Sequence, residues 1–196
     1  EFNKIYNGRP QWSNWGGLND VTNSQEFNAG LSPSSYTFGK LLGVTNINVR
    51  PTEARAGSKV SYASSNRSYN HRVMLTHASG LLKNDWAFTI SGSRRAAKEG
   101  YSDGTFYDAN SFFASVEKRI NKSNSLSFST IISPNKRGKS SANTQEVFDL
   151  KGTRYNSYWG FQNGEIRNSR VKEIVEPILL LNHYWNLNST STLQTS

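Results

Sequence analysis

From Ser58 onward, apolar and polar residues alternate one by one, stretch after stretch. Trp86, Phe88 and Ile90 are interleaved with Ala87, Thr89 and Ser91. A period of two sends successive side chains to opposite faces of a strand, whereas a helix needs a period near 3.6. The same pattern predicts a strand over 58–66, with Val60 and Tyr62 on one face and Lys59 and Ser61 on the other. It predicts another over 69–79, with Val73, Leu75 and His77 opposite Arg72, Met74 and Thr76. Further strands are expected over 86–95, 110–120, 125–133 and 173–185, and a last one begins at Thr190. A shorter one precedes them at 44–50 and stops at Pro51, which lacks the N–H a ladder needs. Residues 1–35 carry no helical period; they read as loop anchored by Trp12 and Trp15 beside Gly16-Gly17. The fold class is all-β.

The connections between strands carry a second signal. Residues 80–85, 121–124 and 186–189 are short turns, while 96–109 and 134–172 are long, polar and glycine-bearing. Outer-membrane barrels have short turns at one rim and long loops at the other. A loop as long as 134–172 is unusual inside a compact soluble domain. An antiparallel sheet with one face in water gives the same strand pattern, so the loop alternation is what favours a barrel. No apolar run approaches the roughly 20 residues of a spanning helix, the longest aliphatic one being Ile178-Leu179-Leu180-Leu181. Barrel strands need only about 9–11 residues each. A chain that opens on Glu1 and closes on Ser-Thr-Ser-Thr-Leu-Gln-Thr-Ser reads as a piece of something larger.

Composition narrows the chemistry. The net charge is +9, yet no run of Lys or Arg exceeds two residues, which argues against nucleic acid. Without cysteine there is no disulfide, thiolate nucleophile or Cys-ligated metal. Gly39-Lys40-Leu41-Leu42-Gly43 invites a phosphate-loop reading. It lacks the GxxxxGK[ST] order and leads into a strand rather than a helix. His71 and His77 share a strand face too far apart for one metal. Asp103, Asp108 and Asn110 lack EF-hand spacing. No nucleophile–base or paired-carboxylate constellation appears, so no enzyme, cofactor or metal is expected. The stretch 134–172 carries Tyr155, Tyr158, Trp159 and Phe161 with eight Lys/Arg against three Asp/Glu. Those four aromatics are candidate substrate contacts; equally, they are candidates for holding the loop together.

The segment SSYTFGKLLGVTNINVRP, residues 34–51, followed by GSKVSYASSN, residues 57–66, resembles the passage from plug to barrel in TonB-dependent outer-membrane receptors of the Bacteroidetes type. Tyr36, Gly39, Gly43, Val44, Asn46 and Ile47 match that family's pattern, while Lys40 and Leu42 stand where it has small residues. The resemblance implies part of a transmembrane antiparallel β-barrel with the C-terminal part of its plug. Residues 1–55 would be plug and 56–196 the first strands, roughly seven, of the barrel. Gly39 and Gly43 would form the plug turn. Arg50, Glu53 and Arg55 would stand at the plug–barrel junction, with Arg50 pairing a wall carboxylate such as Glu117. The short turns would face the periplasm and the long loops the outside. The implied function is import of a bulky nutrient (glycan, peptide or chelate) across the outer membrane of a Gram-negative bacterium. The implied partners are the rest of the barrel and plug, the lipid bilayer, TonB, and a surface lipoprotein or other outer-membrane subunits. Two rival readings are a receptor-like barrel serving as a structural subunit of an assembly or secretion complex, and a soluble carbohydrate-binding β-domain.

Overall fold

The computed structural model describes residues 12–31 and 43–196. Gly39, Lys40 and Leu42 lie outside the described residues. A single turn of 3₁₀-helix, Trp12–Trp15, opens the described chain. Strands β1 (Ser24–Asn28) and β2 (Val44–Asn48) pair antiparallel as a small separate sheet. Gly43 enters β2 at φ +96°, and a Cβ there would fall 2.3 Å from the Asn28 carbonyl oxygen. Only glycine suits that approach. A short 3₁₀ turn, Pro51–Glu53, then leads to the main sheet.

The main sheet begins with β3 (Gly57–Ser64), β4 (His71–Ala78), β5 (Trp86–Ala97), β6 (Tyr107–Arg119) and β7 (Asn124–Ile132). These pair antiparallel in sequence order. After β8 (Asn135–Gly138) come a helix α1 (Gln145–Lys151), the hairpin β9 (Trp159–Gln162) with β10 (Glu165–Asn168), and β11 (Val171–Ile174). β12 (Ile178–Asn186) returns to pair with β7, and β13 (Thr192–Thr195) pairs with β12. The path β3-β4-β5-β6-β7-β12-β13 is open, with β3 and β13 at its edges.

Two expectations are corrected here. The strand expected over 173–185 is two strands, β11 and β12, parted at Val175-Glu176-Pro177. The stretch 134–172 is not plain loop: β8 pairs with β6 and β11, so β7 and β12 are prolonged past their prolines Pro134 and Pro177. Proline removes a ladder donor, so each strand breaks there and resumes. The helix α1 is the only α-helix among the described residues, and its last turn ends on Gly152 at φ +86°.

The sheet's burial is inverted relative to an ordinary soluble protein. On one face stand Val60 (72% exposed), Leu75 (57%), Phe112 (56%) and Leu179 (64%), with Val73, Ile90, Phe128, Ile132 and Leu181 among them. The opposite face is buried and rich in hydroxyls (Thr76, Thr89, Ser91, Ser111, Ser115, Ser125, Ser127 and Ser129), with Met74, Phe113, Ile131 and small alanines between them. Its hydroxyls pair across strands, Thr76 with Ser91 and Ser115 with Ser129, each at 2.7 Å. Residues 14–21 and 49–53 lie against this polar face. Val21 meets Phe113 and Ile131 in a small apolar cluster, with Leu18, Val49 and Ile178 around it. Gly16 passes so close to the wall that a Cβ would meet the Arg95 guanidinium and the Ser111 hydroxyl.

Adjacent residues Phe112 and Phe113 test this two-sidedness. Phe113 is 2% exposed under Val21, and Phe113→Ala should cost about 3–5 kcal/mol by denaturant titration. Phe112→Ala should cost well under half of that, since its ring meets no inner segment. Equal losses at the two positions would contradict the assignment of faces.

Candidate functional site

Two places on the inner side gather chemistry-bearing residues. One is the seam where residues 48–53 meet the wall. The other is a cavity at the end of the sheet where the long connections meet.

At the seam, the Glu117 side chain is fully buried on β6. Strand alternation aims it inward among Ser115, Ser125 and Ser127, which are too short to neutralise it. Arg50 and Thr52 do so from the facing segment. Arg50 Nη2 lies 2.5 Å from Glu117 Oε1, and Nε donates to Oε2 at 3.4 Å. Thr52 Oγ1 donates to Oε2 at 2.9 Å. The same guanidinium reaches Glu53 Oε1 at 3.1 Å and Ser125 Oγ at 3.3 Å, and its Cζ lies 3.8 Å from the centre of the Tyr184 ring. Burial alone would lower the Arg50 pKa. The hydrogen bond and charge of Glu117, with Tyr184 and Glu53, outweigh it, so the pKa is raised. Arg50 therefore stays cationic at neutral pH.

The loop around Arg50 is itself fixed. Asn48 Oδ1 accepts from the Arg50 amide at 3.0 Å, Asn48 Nδ2 donates to Glu53 at 2.6 Å, and Asn23 Nδ2 donates to the Arg50 carbonyl at 2.8 Å. The structure thus brings together Arg50, Glu53 and Glu117 among the expected contacts. Arg55 lies exposed outside the cluster. Thr52, Ser125 and Tyr184 are the members that sequence reasoning missed; an inward-facing Tyr184 was readable from the alternation of β12.

At the opposite end, the connections 65–70, 98–106 and 139–170 pack on one another. Tyr101 donates its amide to the Arg67 carbonyl at 2.8 Å, and Asp103 donates to the Arg154 carbonyl at 2.9 Å. Two buried asparagines tie the assembly. Asn156 Nδ2 donates to the carbonyls of Asp103 and Lys139, and its Oδ1 accepts from the Ser141 and Tyr158 amides. Asn168 Nδ2 donates to the carbonyls of Gly104 and Lys139. The result is a cavity of about 770 Å³ lined by Arg67, Tyr101, Phe106, Tyr107, Arg137 and Lys139, with hydroxyls from Ser68, Ser102, Thr105 and Ser140 between them.

None of the four expected aromatic contacts lines this cavity. Trp159 lies against Gly104 and meets Phe161 edge-on at 5.6 Å. Tyr158 receives the Arg170 guanidinium at 5.3 Å. Tyr155 is half-buried and offers its carbonyl to Asn143, while Phe161 is exposed on the hairpin. The rings that do face the cavity, Tyr101, Phe106 and Tyr107, come from the shorter connection and the start of β6.

The remaining candidates are bound elsewhere. Asp103 pairs with Arg154 at 3.1 Å and Asp108 with Arg94 at 2.5 Å. His71, His77 and His183 hydrogen-bond Tyr62, Ser58 and Asn124 respectively. Among the described residues, no three His, Cys, Asp or Glu side chains are placed to hold a metal.

The seam predicts a measurable coupling. Arg50→Ala strands a buried carboxylate and should cost about 3–5 kcal/mol, read by denaturant titration. In a double-mutant cycle with Glu117→Ala the losses should be strongly non-additive, the second substitution costing little once the first is made. Additive losses would show that the two residues do not act as a pair.

No family model matches this chain, and no curated protein or solved structure matches it either.

Proposed function

We propose that the chain belongs to a TonB-dependent outer-membrane receptor that imports a bulky nutrient, residues 1–55 being the end of its plug and 56–196 the first part of its barrel wall. The observation that carries this reading is the inverted burial of the sheet. A wall between lipid and a watery, plug-filled lumen needs apolar side chains outside and polar ones inside. A soluble sheet that buries one face buries the apolar one. Here the buried face carries eight serines and threonines and Glu117 beside Met74, Phe113, Ile131 and small alanines, while Val, Leu, Ile and Phe side chains stand exposed on the other face.

Four further features support it. β5 and β6, the longest strands, meet the length a tilted spanning strand needs, about 9–11 residues. The outward apolar rows on β5 and β6 stop at charged or polar side chains: Arg94, Asp108 and Asn110 near the long loops, Lys118 beside Trp86 near the short turns. Trp86 and Trp185 both stand outward near the short turns, as aromatic residues do at a membrane interface. The segments lying on the polar face, held by Arg50 at Glu117, fit the role of a plug seated by ionic contacts.

The reading is tested in cells and in vitro. The protein should fractionate with the outer membrane. Deleting its gene and deleting TonB should abolish growth on the same nutrient of a tested panel. Growth unaffected by loss of TonB would contradict the transport role. Leu75→Lys places a charge in the middle of the outward apolar band. It should cost about 2–4 kcal/mol of folding stability in lipid vesicles. In a water-facing sheet the same change would stay within about 0.5 kcal/mol.

A further inference from the structure

The surplus positive charge of this chain has a location. Arg67, Arg137 and Lys139 line the cavity at the long-loop end, and no Asp or Glu lines it with them. None of the three makes an ion pair within the described residues. Glu99 and Asp103 of the shorter connection face Arg154, and Asp108 at the start of β6 is bound to Arg94. Tyr107 on β6 stands opposite Ala97 on β5 and Arg137 on β8, so the cavity opens onto the inner face.

The charge continues downward from there. Arg72 on β4 and Arg95 on β5 are direct register partners on that inner face. Like charges placed opposite each other destabilise a sheet, and neither has a carboxylate partner within the described residues. Arg95 Nη2 reaches only the Ser111 hydroxyl, at 3.4 Å, and the Nε atoms of both arginines are buried without a partner. Folding has therefore gathered five cations on one side of the sheet, three of them around a cavity, none with an ion-pair partner within the described residues. Such an arrangement is costly in the free protein and is relieved by a bound anion.

We infer that this cavity binds a multiply anionic oligosaccharide, one whose sugar rings carry carboxylates or sulfates. Arginine presents a planar fork of donors that matches either anion with two parallel hydrogen bonds. The rest of the lining fits sugar rather than peptide. Tyr101, Phe106 and Tyr107 are the aromatic residues of the lining, and Ser68, Ser102, Thr105, Ser140 and Asn66 are its neutral polar ones. Inorganic phosphate alone would leave most of a cavity this size unfilled. The inference rests on the receptor reading for the side from which ligand arrives, and it names that receptor's substrate class.

The test is titration calorimetry on the purified protein folded in detergent, with four probes. These are trigalacturonate for carboxylate, a heparin-derived tetrasaccharide for sulfate, maltotriose as neutral sugar and tetraglutamate as acidic peptide. Trigalacturonate or the heparin fragment should bind, and more weakly as salt rises. Maltotriose and tetraglutamate should bind at least tenfold more weakly. Arg67→Gln and Arg137→Gln should each weaken the acidic sugar by about tenfold, the loss of a charged hydrogen bond. Lys139→Gln, on an exposed side chain that leaves the fold untouched, should weaken it by a smaller factor. Unchanged affinity in all three variants would overturn the inference, as would equal binding of maltotriose or tighter binding of tetraglutamate. Failure of every probe to bind a detergent-folded protein sinks this inference alone. A protein that folds without detergent sinks the receptor reading and leaves the binding test standing.

Discussion

The fold depends on how one carboxylate is satisfied. Glu117 sits on the inner face of the sheet's longest strand, out of water, among serines that cannot balance its charge. A buried unpaired carboxylate costs several kcal/mol. Arg50 and Thr52 remove that cost by bringing a different part of the chain against the wall. Once Arg50 is placed, its other contacts with Glu53, Ser125 and Tyr184 fix the angle at which residues 48–53 cross the sheet. The pair contributes position more than net stability, since desolvating both partners offsets much of their attraction.

That placement explains why the polar face is the covered one. Val21, Leu18 and Val49 bring only a small apolar cluster to Phe113, Ile131 and Ile178. The rest of the inner face is joined by hydroxyl pairs and ionic contacts, Lys59 to Asp20 at the edge strand among them. A core that small leaves the large apolar side chains with no protein partner on the other face. Under the proposed receptor reading lipid gives them one, and the charged or aromatic residues bounding the band suit the depth at which lipid would end. The long-loop end is organised by a different principle, with buried Asn156 and Asn168 stitching backbone carbonyls together.

The strands were legible in the sequence because period two is strong wherever one face is uniformly apolar, as at Trp86, Phe88 and Ile90. The pairing of Arg50 with Glu117 came from the resemblance, which implies ionic contacts between a plug and its wall, and not from the residue pattern itself. The stretch 134–172 was not legible. Its strands are only four residues long, too short for a period to register. Local signals were there: Asn163-Gly164 turns at positive φ between β9 and β10, as a tight hairpin requires, and Gly152 stops α1. The cavity could not be read because its residues come from three separate connections and from β6 and β8, and the partner each cation lacks is a property of space rather than of sequence.

The central claim is that the apolar face meets lipid and the hydroxylic face does not. The chain has no cysteine, so single-cysteine spin labels can be placed without background. Labels at Val73, Leu75, Ile90 and Phe128 should, in lipid vesicles, be accessible to oxygen and shielded from a water-soluble nickel chelate. Labels at Ser91, Ser115 and Ser129 should be shielded from oxygen. A period-two alternation of oxygen accessibility along β5, high at Phe88 and Ile90 and low at Thr89 and Ser91, is the predicted result. High nickel accessibility at Leu75 and Ile90 would contradict the account, because it would place the apolar face in water.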